Sequence, residues 1–116
     1  MTLYGIPNCS TVKKARVWLE QQGIAYDFHD FKKSGISAAT LETWLQQVEW
    51  EKLVNRAGMT WRGLSEQDKA AVTDAASAST LMQSYTSVIK RPILVKDGAV
   101  IAVGYTEPAY AKLFLS

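Results

Sequence analysis

The 116-residue chain carries a single cysteine, at position 9, within Tyr4-Gly5-Ile6-Pro7-Asn8-Cys9-Ser10-Thr11. A short apolar segment leads to a Pro-Asn turn just before it. Asn8, Ser10 and Thr11 then offer helix-capping side chains around the start of a helical pattern. A cysteine in the first turn of a helix meets unpaired backbone N–H groups and the positive end of the helix dipole. Both favour an anion, so the Cys9 thiol is expected to ionise below the ordinary thiol range and to act as a nucleophile near neutral pH. Lys13 and Arg16, one and two turns further on, are candidates for added positive potential. A lone cysteine in an arbitrary helix is more often a small buried hydrophobe. The strand–turn–cysteine–helix setting is what favours a reactive thiol here.

One cysteine excludes an internal disulfide and a self-resolving dithiol. With His29 the only histidine, a Cys/His structural zinc site is not expected, and no bound cofactor is indicated. Arg16, Arg56, Arg62 and Arg91 have side chains suited to bidentate binding of a carboxylate or an oxyanion. Taken singly, each is better read as a solvated surface residue, and His29 as a strand histidine without catalytic duty.

The elements that must position Cys9 follow from the pattern on either side. Thr2-Leu3-Tyr4-Gly5-Ile6 reads as a buried strand, and a helix is predicted from about Ser10 to Gln22. Val12, Ala15 and Leu19 share its inner face, with Trp18 beside them, and Gly23 is placed to end it. Alternation over Ala25 to Phe31 predicts a second strand, parallel to the first through a right-handed crossover. Asp30, Lys32 and Lys33 read as its solvated end.

Residues 34–89 change character. Helices are predicted after Ser37, carrying Leu41, Trp44, Leu45 and Val48, then over Trp50 to Val54, after Ser65, and over about Asp74 to Tyr85. The β pattern returns with Arg91-Pro92-Ile93-Leu94-Val95, where proline opens the strand. Asp97-Gly98 is a hairpin signal, Val100 to Val103 the partner strand, and Glu107 to Leu115 a final helix that partly buries Ala109, Tyr110, Leu113 and Phe114.

The order is β-α-β, a helical insertion, then β-β-α. It defines an α/β, thioredoxin-like chain of one domain, 1–116, with a mixed four-stranded sheet. The core covers about 1–33 and 90–116, and the insertion about 34–89. In such a fold the X-Pro bond opening the third strand faces the cysteine turn, so a cis Arg91–Pro92 bond is expected. It would leave the Arg91 backbone open to strand-like pairing with an extended thiol peptide.

Several segments together resemble a known family. Tyr4-Gly5-Ile6-Pro7-Asn8-Cys9, Thr11-Val12-Lys13-Lys14-Ala15-Arg16 and Trp18-Leu19 resemble the opening of the ArsC/Spx/YffB family, most of all its YffB branch. His29-Asp30-Phe31, Leu53-Val54-Asn55-Arg56, Thr60-Trp61-Arg62, Ile89-Lys90-Arg91-Pro92, Gly104-Tyr105 and Tyr110 with Leu113-Phe114 follow in matching order. The resemblance implies a thioredoxin fold with a helical insertion and a catalytic cysteine at Cys9. In the arsenate-reducing members a thiolate attacks arsenate, arginines stabilise the oxyanion, glutathione resolves the adduct and glutaredoxin regenerates the enzyme. Arg91 matches one of those arginines and Arg56 a second approximately; a third has no counterpart around Ala102-Val103-Gly104. Ser10 stands where relatives often carry Asp, and Met59 where they carry Thr.

The function expected is that of a glutathione-dependent thiol reductase with Cys9 as nucleophile. Arg91 and Pro92 would position a small thiol or oxyanion substrate, with Lys13, Arg16 or Arg56 balancing its charge. Glutathione would be co-substrate and glutaredoxin a partner. A glutathione- and glutaredoxin-coupled arsenate reductase is the alternative enzyme. An Spx-like regulator binding RNA polymerase is the alternative of another class, without the C-x-x-C switch because Val12 occupies the second position. A net charge of +2 suggests no nucleic-acid footprint. No apolar run approaches the ~20 residues that span a bilayer, and the N-terminus has no signal-peptide pattern, so a cytoplasmic monomer is expected.

Overall fold

The computed structural model describes residues 1–115. In chain order the elements are β1 (Thr2–Gly5), α1 (Ser10–Gln21), β2 (Asp27–Asp30), α2 (Phe31–Ser34), α3 (Ala38–Leu45), α4 (Trp50–Leu53), α5 (Met59–Arg62), α6 (Glu66–Ala70) and α7 (Ala75–Ser84). A 3-10 turn (Thr86–Val88), β3 (Ile93–Lys96), β4 (Ala99–Val103) and α8 (Glu107–Phe114) complete the described residues. Two compact units result, one of residues 1–34 with 91–115 and one of residues 35–90.

The first unit is a four-stranded sheet in the order β2-β1-β3-β4. β1 runs parallel to β2, in the register Leu3 to Phe28 and Tyr4 to His29. β3 is antiparallel to both β1 and β4, with a bulge between Leu94 and Val95. This is the mixed thioredoxin-like sheet the element order called for. The β3–β4 hairpin turns on Asp97 and Gly98, both at positive φ (51° and 80°), as a primed two-residue turn requires.

α1 ends as its sequence predicts. Gly23 takes φ 69°, its N–H donates to the Glu20 carbonyl, and the Ile24 N–H donates to the Leu19 carbonyl. These two bonds form the Schellman arrangement that satisfies the helix's last carbonyls. The buried face of α1, Val12, Ala15, Trp18 and Leu19, is the one the spacing assigns. Ala15, Trp18 and Leu19 join Leu3, Leu94 and Tyr110 in one apolar cluster. The Trp18 and Tyr110 rings meet edge to face, 5.7 Å apart at 84°.

Several boundaries differ from the expectation. β2 begins only at Asp27, whose N–H donates to the Met1 carbonyl and opens the ladder. It stops at Asp30, because the Asp30 carboxylate accepts from the Lys32 and Lys33 N–H groups and starts a helical turn at Phe31. Asp30 is thus a capping residue rather than a merely solvated strand end. β3 starts at Ile93, two residues after Arg91. On α8, Tyr110 is fully buried while Ala109 and Leu113 are exposed, so the buried stripe is narrower than predicted.

The second unit is helical. Ser37 caps α3, Ser65 caps α6, and Asp74 forms a reciprocal capping box with Ser77 on α7. α3 packs against α7, and α7 against the 3-10 turn. The segment ends are tied by an isolated antiparallel bridge of Val54 with Ile89, flanked by Asn55 N–H to Val88 O (2.7 Å) and Lys90 N–H to Leu53 O (2.8 Å). α3 stops at Leu45, before Val48, and Val54 belongs to the bridge instead of α4. The turn α5 has no counterpart in the predicted helices.

Candidate active site

Cys9 is the N-cap residue of α1, in extended conformation (φ −87°, ψ 125°). The turn before it is closed by a bond from the Cys9 N–H to the Ile6 carbonyl, and its own carbonyl accepts the first helical bond, from the Lys13 N–H (2.9 Å). The side chain takes the place a capping oxygen would fill, yet it makes no cap hydrogen bond of ordinary geometry. The thiol is only partly exposed.

Several effects act on its ionisation. Burial pushes the thiol up. Against this stand the Val12 N–H, the Arg91 side chain, the Thr11 N–H and the positive charge of Arg91, which together bring the thiol below its ordinary value. The backbone donors are those that a helix start leaves without intrahelical partners.

Arg91 and Pro92 belong to the same unit, immediately before β3. The Arg91–Pro92 bond is cis, as expected. Pro92 is buried and its carbonyl accepts from the Gly104 N–H (2.8 Å), which ties the approach to β3 to the end of β4.

Of the predicted site residues, Arg91 is brought to Cys9, with Pro92 next to it in the chain; Arg16 and Lys13 make other contacts within the same unit, and Arg56 lies in the other unit. Arg16 turns toward β2: its Nε donates to the Tyr26 hydroxyl (3.0 Å), and its guanidinium lies 4.0 Å from the Phe28 ring centroid. Lys13 is exposed and lines a groove with Trp18, Gln21, Tyr105 and Glu107, and it is not one of the groups that lower the thiol. Arg56 belongs to the helical unit, where it stacks 5.5 Å over the Trp50 ring. His29 packs on Tyr4, ring centroids 4.7 Å apart, in keeping with a strand role. The specific donors at Thr11 and Val12 could not be named from residue type, because backbone amides carry no such signature. Position two and three residues past an N-cap is the signal that finds them. Among the described residues, no group of three or more His, Cys, Asp or Glu could hold a metal ion. No helix among them is long and apolar enough to cross a membrane.

A thioredoxin-like sheet with a lone thiol at the start of its first helix, and an arginine before a cis-proline facing it, defines a class of single-cysteine α/β proteins. The model of the ArsC family matches residues 4–113, and the chain belongs to that family. An uncharacterized protein of Haemophilus influenzae is 39% identical over 98% of both chains. The global transcriptional regulator Spx of Listeria monocytogenes is 26% identical, over 92% of this chain and 81% of its own. Among solved structures, a YFFB protein superposes with a TM-score of 0.89 at 46% identity, covering 96% of each chain. An arsenate reductase (ArsC) related protein from Brucella melitensis gives 0.77 at 50% identity, covering 97% of this chain and 92% of its own.

Proposed function

We propose that the protein is a glutathione-dependent thiol reductase with Cys9 as its nucleophile. The observation that carries this reading is the convergence of the Val12 and Thr11 amides and the Arg91 guanidinium on a partly exposed thiol. Such a setting favours the thiolate, the form that attacks. The chain has one cysteine, so the thiol that completes the cycle must come from outside.

With a substrate sulfur capped by glutathione, the Cys9 thiolate attacks the glutathione sulfur. A Cys9–glutathione S–S bond forms, the original S–S bond breaks, and the substrate leaves as a thiolate that takes a proton from solvent. The thiolate of a reduced glutathione then attacks the glutathione sulfur held on Cys9. Oxidised glutathione departs and the Cys9 thiolate is restored. Two electrons pass from reduced glutathione to the substrate through one protein sulfur. Arg91 offers a fork of donors to a carboxylate near the reacting sulfur, beside Pro92. Glutaredoxin is the alternative source of the resolving thiol, and a monomer in the glutathione-rich cytoplasm is the expected setting.

The test is turnover of a glutathionylated model peptide with reduced glutathione. The native chain releases free peptide thiol catalytically and Cys9→Ser does not; equal release by both removes the reading. Arsenate in place of the peptide tests the arsenate-reductase reading, which the likeness to the arsenate reductase related protein of Brucella melitensis suggests. The likeness to Spx favours a second reading, a regulator acting through RNA polymerase. Its mark is retention of polymerase by both the native chain and Cys9→Ser, without peptide turnover.

A further inference from the structure

Gly5 ends β1 and is buried, and its φ lies outside the left-handed region, so backbone conformation does not call for glycine there. Space does. A Cβ at position 5 would stand 2.8 Å from Val12 Cγ2 and 3.1 Å from Val12 Cγ1, well inside the separation at which carbon atoms attract. Gly23, Gly98 and Gly104 differ: each has positive φ and nothing within 4 Å of its missing Cβ. Val12 is fully buried and β-branched, and in a helix such a side chain has one strongly preferred rotamer, so its methyls cannot swing aside at little cost. The residue whose methyls fill the space over Gly5 is also one whose N–H faces the Cys9 sulfur.

We infer that Gly5 is a positioning residue for Cys9: its missing side chain lets Val12 seat the first turn of α1 against β1, and that seating sets where the Thr11 and Val12 amides stand relative to the sulfur. The inference rests on the reading of Cys9 as an activated thiol and says which non-reacting residue maintains it. A methyl at position 5 must lift the first turn or shift the strand end. Either movement alters how the Thr11 and Val12 amides stand relative to the sulfur, while the Arg91 side chain and the thiol remain chemically unchanged.

The experiment is alkylation by iodoacetamide across pH, in which a sulfur–carbon bond forms and iodide leaves, followed by intact mass. It compares the native chain, Gly5→Ala and Gly5→Ala/Val12→Ala, with circular dichroism to verify folding. In the double variant both close methyls are gone, and the Cβ at position 12 stands 3.6 Å from the introduced methyl, an ordinary contact. Gly5→Ala is expected to alkylate about twofold or more slowly below pH 7, the scale of weakening one hydrogen bond, with its titration midpoint moved up. The double variant is expected to return to the native profile even if it melts earlier, which a purely structural role would not produce. A folded Gly5→Ala with the native profile overturns the inference and leaves the reading of Cys9 standing. A native cysteine that titrates as an ordinary thiol overturns both. If Gly5→Ala does not fold, the double variant must fold with the native profile, and its failure overturns the inference.

Discussion

Replacing Arg91 by methionine keeps much of the aliphatic stem and removes the guanidinium that faces Cys9. The thiol is partly exposed and solvent screens the pair, so it is held to the range of a surface ion pair, about 0.2–1 kcal/mol. At a pH below the titration midpoint this lowers the thiolate population by a factor of about 1.4 to 5. A more basic thiolate is also a better nucleophile, with a Brønsted slope of about 0.4–0.5. At the fivefold limit that slope returns a factor of about two, leaving a net loss of about 2.5-fold at low pH. Above both midpoints every thiol is ionised, only the nucleophilicity counts, and the variant should react about twofold faster than the native chain. The two rate–pH curves must therefore cross. Stopped-flow alkylation with neutral iodoacetamide measures this without charge steering of the reagent. Anionic iodoacetate should show an additional loss in Arg91→Met at every pH, because the guanidinium no longer attracts it. Curves that run parallel, or that coincide, would refute the claim that Arg91 acts by holding the thiolate.

Three further perturbations separate this account from simpler ones. Tyr110 is fully buried and its hydroxyl has no hydrogen-bond partner among the described residues, while burial pushes its ionisation far up; an unmet buried polar group costs about 1–3 kcal/mol, so Tyr110→Phe should raise thermal stability, and a clear drop in melting temperature would contradict that. Arg16→Met should lower stability by about 1 kcal/mol through loss of its contacts with Tyr26 and Phe28, leaving the Cys9 rate–pH profile in place; a shifted profile would return Arg16 to the site. Cys9→Ser should abolish alkylation and, because serine is a favoured cap, match or exceed native stability at acidic pH. The folded thiol titrates below its unfolded value, so its contribution is present above the unfolded value and lost as pH falls through the folded one. Melting curves of the native chain and Cys9→Ser should thus move in favour of the native chain as pH rises toward about 8.5, and a constant difference would contradict the depressed thiol.

Much of the frame was legible because local and global signals agree. The inner face of α1 follows from Val12, Ala15, Trp18 and Leu19, its end from Gly23, and the hairpin from Asp97-Gly98. Boundaries set by hydrogen bonds from outside the local pattern were not legible. The alternation over Ala25 to Phe31 does not reveal that Met1 opens the ladder at Asp27, nor that the Asp30 carboxylate turns the chain into a helix. The site divides in the same way. Cys9 and Arg91-Pro92 are fixed by backbone position, which sequence order carries. Arg16 lies seven residues beyond Cys9, about 10 Å along the helix axis, and its direction is decided by aromatic partners on and beside β2. Lys13 was placed by helical spacing alone, which does not say where a long exposed side chain points. Gly5 and the Val12 amide matter through absent or main-chain atoms, and residue type does not announce either.

The central claim is that Cys9 is an activated thiol that exchanges with glutathione. Intact-mass spectrometry after mixing the native chain with oxidised glutathione over a range of pH tests it most directly. The account predicts one glutathione adduct, on Cys9, forming with a midpoint below that of a free thiol and removed by reduced glutathione. A cysteine that stays unmodified, or that forms the adduct only where ordinary thiols ionise, would contradict it.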